Sequence, residues 1–462
     1  MISTKTKNVF ECSSCGYQTM KWAGCCPDCS KWNTFEEKEI FVTNKAKSSM
    51  KNPTRKIPVR LNGVEVSRSN RIITSISEFN RAMGGGIVRD SVTIVSAKPG
   101  AGKSTLLLQV ADDIARQGFK VLYASGEESE SQLKSRADRL FQSVHNNIWV
   151  LSDLSMDNVL RTIEEINADL IIIDSIQTFV SEEYPGSRAG SPVQTMECAN
   201  KLVKISKGSI RPRAVIMVCQ MNKSEELAGL RALEHLVDTV LIIEGENEEE
   251  LRALAVLKNR FGSTWERGFF LMSDMGMLPI DNPSQVFMTK REKGDLFPGN
   301  ALTVIKEGSR PIIVEIESLV SKTFLPYPSR VGECLSREQL NTVIAILEKK
   351  GGISLFDKDV VLKTTGGIKF KEQAVNLSVM MSMVSSVVNK PIPNDTVFIA
   401  DVGLTGELKT VASLEIRLKE VDRLGFSKVY TAKNAVMRKL TLNNTEVIKC
   451  KTLSEVIKDI FK

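Results

Sequence analysis

Long apolar runs are missing from this sequence, and none approaches the length of a bilayer span. That argues against a helical membrane protein. The start, Met1–Phe10, lacks the apolar core of a secretion signal, so a cytoplasmic protein without membrane association is the expectation. Histidine is nearly absent: His145 and His235 are the two present, and neither lies in the C-terminal region. Cysteine is too sparse for a disulfide framework, with nine in 462 residues, five of them within Cys12–Cys29. Acidic residues are absent from Phe41–Arg60, a stretch with six Lys/Arg and two prolines. It reads as an extended linker, either a plain tether or one that also touches nucleic-acid phosphates. What remains is ordinary soluble composition, 42% hydrophobic and 25% charged, in a chain long enough for two or three domains. The net charge of +7 is uneven. Residues 1–60 hold 11 Lys/Arg against 5 Asp/Glu, which makes an anionic partner near the N-terminus plausible.

The most informative stretch is Ser91–Gln109. An apolar strand-like run, Val92–Val95, meets the turn Ala97-Lys98-Pro99-Gly100-Ala101-Gly102-Lys103-Ser104-Thr105. A helical pattern follows, apolar at Leu106, Leu107, Val110, Ala111 and Ile114, with Gly118 as its stop. This strand–loop–helix order is what a Walker A phosphate loop requires. The two glycines let backbone N–H groups wrap a phosphate, and the new helix adds its positive dipole end. Lys103 would reach the terminal phosphates and Ser104 would ligate Mg²⁺. Ala97 stands where the common pattern has its first glycine, a position that broader versions fill with alanine. The stretch predicts a nucleoside triphosphate site.

Around it, strand-like and helix-like segments alternate as in an α/β domain with a mostly parallel sheet. Strands are expected at Lys120–Ala124, Ile148–Leu151, Leu170–Ile173, Ala214–Cys219 and Thr239–Ile243, and a short helix ending in a glycine turn within Ile73–Val88. Asp174 ends the third strand in Walker B fashion and would hold the Mg²⁺ shell through water; Ser175 and Gln177 follow it. Glu127 and Glu128 follow the first strand, and a glutamate there can activate the attacking water. Spacing favours Glu127, with Glu128 in reserve. Gln220, at the end of the next strand, could sense the γ-phosphate. Lys258 and Arg260, in a compact basic turn, could stabilise transition-state charge on a neighbour's nucleotide, contact DNA phosphates, or form an ordinary hairpin.

At the N-terminus, Cys12-Ser-Ser-Cys15 and Cys26-Pro-Asp-Cys29 are two knuckles that together supply four thiolates for a structural, tetrahedral Zn²⁺ site. Cys25 is a spare. Trp22 and Trp32 flank the knuckles and are expected to form a small core. From about Asn282 the pattern becomes α+β, with strands expected at Ala301–Ile305, Pro311–Ile316, Val360–Lys363 and Thr396–Val402. Helices are expected over Ser336–Lys349, opened by an S-x-x-Q capping box, and over Asn376–Val388.

Taken together these parts resemble one family, the bacterial RadA (Sms) ATPases of DNA repair and recombination. The order matches: four-cysteine finger, PGAGKSTLLLQ, SGEES turn, IIIDSIQT strand, the Lys258–Gly262 pentapeptide KNRFG, and a C-terminal region similar to a Lon protease domain. The fold class implied is a RecA-like P-loop core between a zinc finger and an α+β Lon-like domain. Its limits are a finger over 1–40, a linker over 41–60, the core over 61–281 and the Lon-like domain over 282–462. The resemblance implies ATP as nucleotide, a homo-oligomeric ring of hexameric size, a RecA-type recombinase partner, and movement on single-stranded and branched DNA that promotes branch migration. On that reading Lys258 and Arg260 act in trans or couple ATP to DNA. Gln220, after Cys219, resembles the glutamine switch of RecA. Candidate DNA loops are Ser181–Val193, with Arg188, and Met221–Arg231, with Lys223 and Arg231. In the Lon-like region Ala374 stands at the serine nucleophile's position and Arg417 near the lysine's, so proteolysis is not expected. The competing expectation is a RecA-fold ATP-binding switch without motor activity.

Overall fold

The computed structural model describes residues 6–13, 18–19, 22, 24–25, 31–41, 60–63, 71–184, 186–208, 211–220, 233–245, 250–264, 266–291, 294–437 and 440–462. Met1–Ser67 and Arg68–Lys462 are separate compact units.

In the first unit β1 (Thr6–Cys12) pairs antiparallel with β2 (Gln18–Thr19) and with β3 (Phe35–Phe41), setting the backbone of Cys12 opposite Phe35. A bridge pairs Cys25 with Trp32, and Asn33 N–H donates to Gly24 O at 2.8 Å. Trp22 and Trp32 flank Gly24 yet are 59% and 74% exposed. The expected tryptophan core is therefore not formed: a segment this small has too little chain to cover two indoles. Cys15, Cys26, Cys29, the Cys12 side chain and residues 42–59 of the linker lie outside the described residues.

The second unit opens with β4 (Arg71–Ile72), helix α1 (Ser77–Ala82) and β5 (Ile87–Val88), the two short strands pairing around the Gly84–Gly86 turn. Then come β6 (Val92–Ala97), α2 (Lys103–Arg116), β7 (Val121–Ser125), α3 (Glu130–Leu140), β8 (Ile148–Ser152), α4 (Met156–Ile166), β9 (Leu170–Asp174), α5 (Pro192–Gly208), β10 (Ala214–Gln220) and β11 (Thr239–Glu244). These strands form the parallel part of one sheet, in the order β11-β6-β10-β9-β7-β8. The central strands are buried along nearly their whole length, as parallel strands covered on both faces must be. The apolar stripe of α2, Leu106, Leu107, Val110, Ala111 and Ile114, is buried on one face of the sheet; α4 and α5 pack on the other. Ser129 and Gln132 close a capping box at the start of α3.

Beyond β11 the sheet continues antiparallel through β12 (Leu251–Asn259), β13 (Arg267–Ser273) and β14 (Gly276–Pro279). A seven-stranded sheet follows, built from β15 (Asn300–Glu307), β16 (Arg310–Lys322), β17 (Arg330–Gly332), β18 (Lys358–Thr364), β19 (Thr396–Ile399) and two C-terminal strands. The expected strand Thr396–Val402 is divided: β19 stays in this sheet, while β20 (Asp401–Val402) pairs with β21 (Leu408–Lys409) in a separate hairpin. The last two strands are β22 (Lys428–Ala432) and β23 (Glu446–Cys450). Helix α6 (Arg337–Ile346) has the Ser336–Gln339 capping box and continues into a π turn, Leu347–Gly351. Helix α7 (Asn376–Val388), buried over Leu377–Ser385, is a core helix of this part. Among the described residues no helix is long and apolar enough to cross a membrane.

Candidate functional site

The end of β6 turns into the glycine loop because Gly100 and Gly102 adopt φ of +80° and +98°, conformations that strain any residue with a Cβ. At Gly102 a Cβ would also sit 3.0 Å from Met272 Cε and Met277 Sδ, so the β13–β14 hairpin presses against the loop. Gln109 fixes that hairpin by accepting from Met277 N–H at 2.9 Å. Ala97, the departure from the common pattern, is fully buried. Lys103 opens α2 and folds back over its own loop, donating from Nζ to Ala97 O at 3.0 Å and Lys98 O at 3.3 Å. Partial burial lowers its pKa, opposed by the nearby carboxylates of Asp174 and Glu127.

Ser104 donates from Oγ to Asp174 Oδ2 at 2.8 Å, so the fold brings together the hydroxyl and carboxylate expected to address one Mg²⁺. Tyr123 OH donates to the same oxygen at 2.6 Å. Thr105 opens onto a groove of about 500 Å³ lined also by Arg139, Met272 and Met275. The backbone curl, helix N-terminus, lysine and hydroxyl–carboxylate pair suit a magnesium nucleotide.

The two glutamates after β7 diverge. Glu127 accepts from Ser175 Oγ and from Gln220 Nε2, the latter at 2.9 and 3.0 Å. Glu128 turns away into an ion pair with Arg136 of α3. Gln177 clamps the end of β10: its Nε2 donates to Gln220 O and Cys219 Sγ, both at 3.2 Å, while its Oε1 accepts from Gln220 N–H at 3.2 Å. Burial pushes the Cys219 thiol up to about 11, keeping it neutral at ordinary pH. Lys103, Ser104, Glu127, Asp174 and Gln220 thus gather at the C-terminal end of the parallel strands, where open α/β sheets bind ligands. Ser175 and Gln177 had been noted only as neighbours of Asp174, and Tyr123 not at all. A tyrosine inside a buried aliphatic strand was the available signal for it.

Lys258 and Arg260 lie elsewhere. The register sets Lys258 opposite Val240, and Asp238, which binds Arg260 Nη1 at 3.3 Å, also accepts from Val92 N–H at the start of β6. The phosphate loop leaves the other end of that strand, so this chain does not bring the pair to its own loop. Lys258 donates to Glu234 O at 2.5 Å, and burial with the neighbouring Arg260 lowers its pKa. Arg71 secures the turn by donating to Phe261 O at 2.7 Å.

The segment Ser181–Val193 is pinned by buried Gln194, which accepts from Ser181 N–H and donates to the carbonyls of Ser181, Tyr184 and Ser187; Arg188 is exposed. The segment Met221–Arg231, with Lys223 and Arg231, lies outside the described residues. In the C-terminal part Ala374 is buried just before α7. Arg417, 2% exposed, pairs with Glu372 and donates to the carbonyls of Val304 and Ala412. At these two positions an ion-paired guanidinium and a methyl group supply neither a nucleophile nor a base.

Fold and loop together define a RecA-like P-loop ATPase of the mixed α/β class with an N-terminal zinc-ribbon module. A family description "AAA domain" matches residues 58–226 and "Rubredoxin metal binding domain" matches residues 10–37. The chain is 41% identical over 458 residues to "DNA repair protein RadA" of Streptococcus pyogenes serotype M3, covering 99% of both chains. Proteins of the same name from Bacillus subtilis and Listeria monocytogenes are 40% and 38% identical, covering 92% and 99% of each chain. This chain belongs to the RadA family of bacterial DNA repair proteins.

Proposed function

We propose that this chain is a DNA-dependent ATPase of recombinational repair, hydrolysing ATP to move on single-stranded DNA and promote branch migration of recombination intermediates. The observation that carries this reading is the bonded path from Glu127 through Gln220 and Gln177. One end of that path is the candidate hydrolytic acid; the other is formed by Gln177 and Gln220, which in sequence precede the two proposed DNA-binding segments, Ser181–Val193 with Arg188 and Met221–Arg231 with Lys223 and Arg231. A γ-phosphate that draws Glu127 or Gln220 toward it would therefore alter loops suited to gripping phosphates.

In this reading Lys103 and the loop from Ala97 to Thr105 hold the triphosphate, and Ser104 with Asp174 holds Mg²⁺. Glu127 activates water, and Gln220 reports the nucleotide state. Lys258 and Arg260, remote from their own loop, serve a neighbouring subunit's nucleotide or the DNA. A homo-oligomeric ring follows from that role; six subunits is the proposed size, and a RecA-type recombinase the proposed partner. Residues 61–281 act as the motor core and 282–462 as an oligomerisation scaffold without protease activity. Cys12, Cys15, Cys26 and Cys29 bind one structural Zn²⁺, and the protein works in the cytoplasm.

The test is ATP hydrolysis with and without single-stranded DNA for wild type, Lys103→Ala and Arg260→Ala. Hydrolysis should be stimulated by DNA, abolished in Lys103→Ala, and no longer stimulated in Arg260→Ala. Turnover indifferent to DNA would replace the motor by a nucleotide switch, and unchanged turnover in Lys103→Ala would sink the ATPase assignment.

A further inference from the structure

Strand β7 contributes one aromatic residue to the buried sheet next to the nucleotide site. The register pairs Tyr123 with Ile172, and side chains two residues apart on a strand share a face, so Tyr123 and Asp174 both lie on the side of the sheet covered by α2. The ring of Tyr123 is fully buried in the cluster that contains Leu106 and Leu107. Phenylalanine would satisfy that packing equally well. The difference is one hydroxyl, and a buried hydroxyl is costly unless bonded. Here it donates to Asp174 Oδ2 at 2.6 Å, and Ser104 Oγ donates to the same oxygen at 2.8 Å.

The two donors are not equivalent. Ser104 stands in the first turn of α2 at the partly open phosphate loop, and its oxygen is itself the expected cation ligand. When that oxygen engages a cation, its bond to Asp174 is no longer an independent restraint. Tyr123 is anchored through its ring in the core and approaches Asp174 from the sheet side. We propose that Tyr123 is a positioning residue for metal binding: its hydroxyl fixes the Asp174 carboxylate so that Asp174 and Ser104 address one Mg²⁺. Losing a partner that orients a metal-binding group typically costs about 10–100-fold in metal affinity. The inference rests on the magnesium–nucleotide reading of the site.

The experiment compares wild type with Tyr123→Phe in two measurements. The first is calorimetric binding of a non-hydrolysable ATP analogue across a Mg²⁺ titration, including Mg²⁺-free solution. The second is the Mg²⁺ dependence of turnover at saturating ATP. The variant should need on the order of tenfold more Mg²⁺ for half-maximal binding and turnover, with nucleotide affinity in Mg²⁺-free solution unchanged. In an Asp174→Asn background the same substitution should add nothing to the Mg²⁺ requirement. An unchanged Mg²⁺ midpoint would overturn the proposal. So would an equal loss of nucleotide affinity with and without Mg²⁺, which would make Tyr123 a packing residue. A wild-type chain that binds no nucleotide at any Mg²⁺ concentration would instead remove the reading of the site beneath it.

Discussion

Glu127 and Glu128 leave the same strand as adjacent carboxylates, and their neighbours give them different work. Glu127 faces Ser175 and Gln220 at the mouth of the phosphate loop, where a water above the γ-phosphate would come within its reach. Glu128 is held instead in an ion pair with Arg136 of α3. Glu127→Gln should lower ATP turnover by roughly 10²–10³-fold, the usual contribution of a positioned base. Glu128→Gln breaks a partly exposed ion pair and should change turnover by less than about threefold. Steady-state hydrolysis of both variants at saturating ATP decides between them; the reverse order would reassign the base. Spacing pointed to Glu127 but left Glu128 open, because alternation along a strand stops being a guide once the chain enters a turn. Lys103, Ser104 and Asp174 were legible since their loop and strand patterns fix them locally. Tyr123, Ser175 and Gln177 were not, because their partners come from strands far apart in sequence.

At the scale of elements, the N-terminal ribbon shows how little a short sheet can do unaided. β1 pairs with β3 along its whole length, yet Trp22 and Trp32 both stay exposed. Ladder hydrogen bonds without a core do not offset the entropy of ordering the chain. The four thiolates proposed as zinc ligands would supply the missing free energy. Purified protein should therefore carry one zinc per chain. Removing the zinc with a chelator should abolish hydrogen-exchange protection of the β1 and β3 amides while those of β6 and β9 keep theirs. Metal-free protein with a protected β1–β3 ladder would refute the dependence. The parallel strands of the larger unit were easier to anticipate, being continuous buried apolar runs. β12 escaped because its pattern is inverted in places: Arg252 is buried while Leu257 is half exposed. The run Thr396–Val402 reads as one strand because its apolar part, Val397–Ala400, carries no period to interrupt; Asp401 is the residue that stands where it changes partners.

Across the whole Arg68–Lys462 unit, a buried charge is one of the points that join the two large sheets, beside the Arg267–Glu307 ion pair and the Phe269–Phe287 contact. Glu78 of α1 is 1% exposed, and its carboxylate accepts from Phe269 N–H of β13 and from Arg310 Nη1 of β16, each at 2.9 Å. Arg310 also donates to Asp281 O, and Ser77 Oγ donates to Asp281 Oδ1 at 2.6 Å, so the segment between the sheets is fastened at the same point. The motor core and scaffold proposed above would thus be linked in part through this buried charge. Removing one partner of a buried ion pair leaves the other charge without its counter-ion, and that penalty exceeds what the pair contributed. Arg81, 3.3 Å from Glu78 and partly exposed, compensates only in part. Arg310→Met, which keeps the unbranched stem of the side chain and deletes its charged head, should cost about 3 kcal/mol of stability in urea unfolding. Glu78→Gln with Arg310→Met should recover part of that loss, because no bare charge remains buried. If Arg310→Met unfolds at the wild-type urea concentration, this ion pair does not hold the two sheets together.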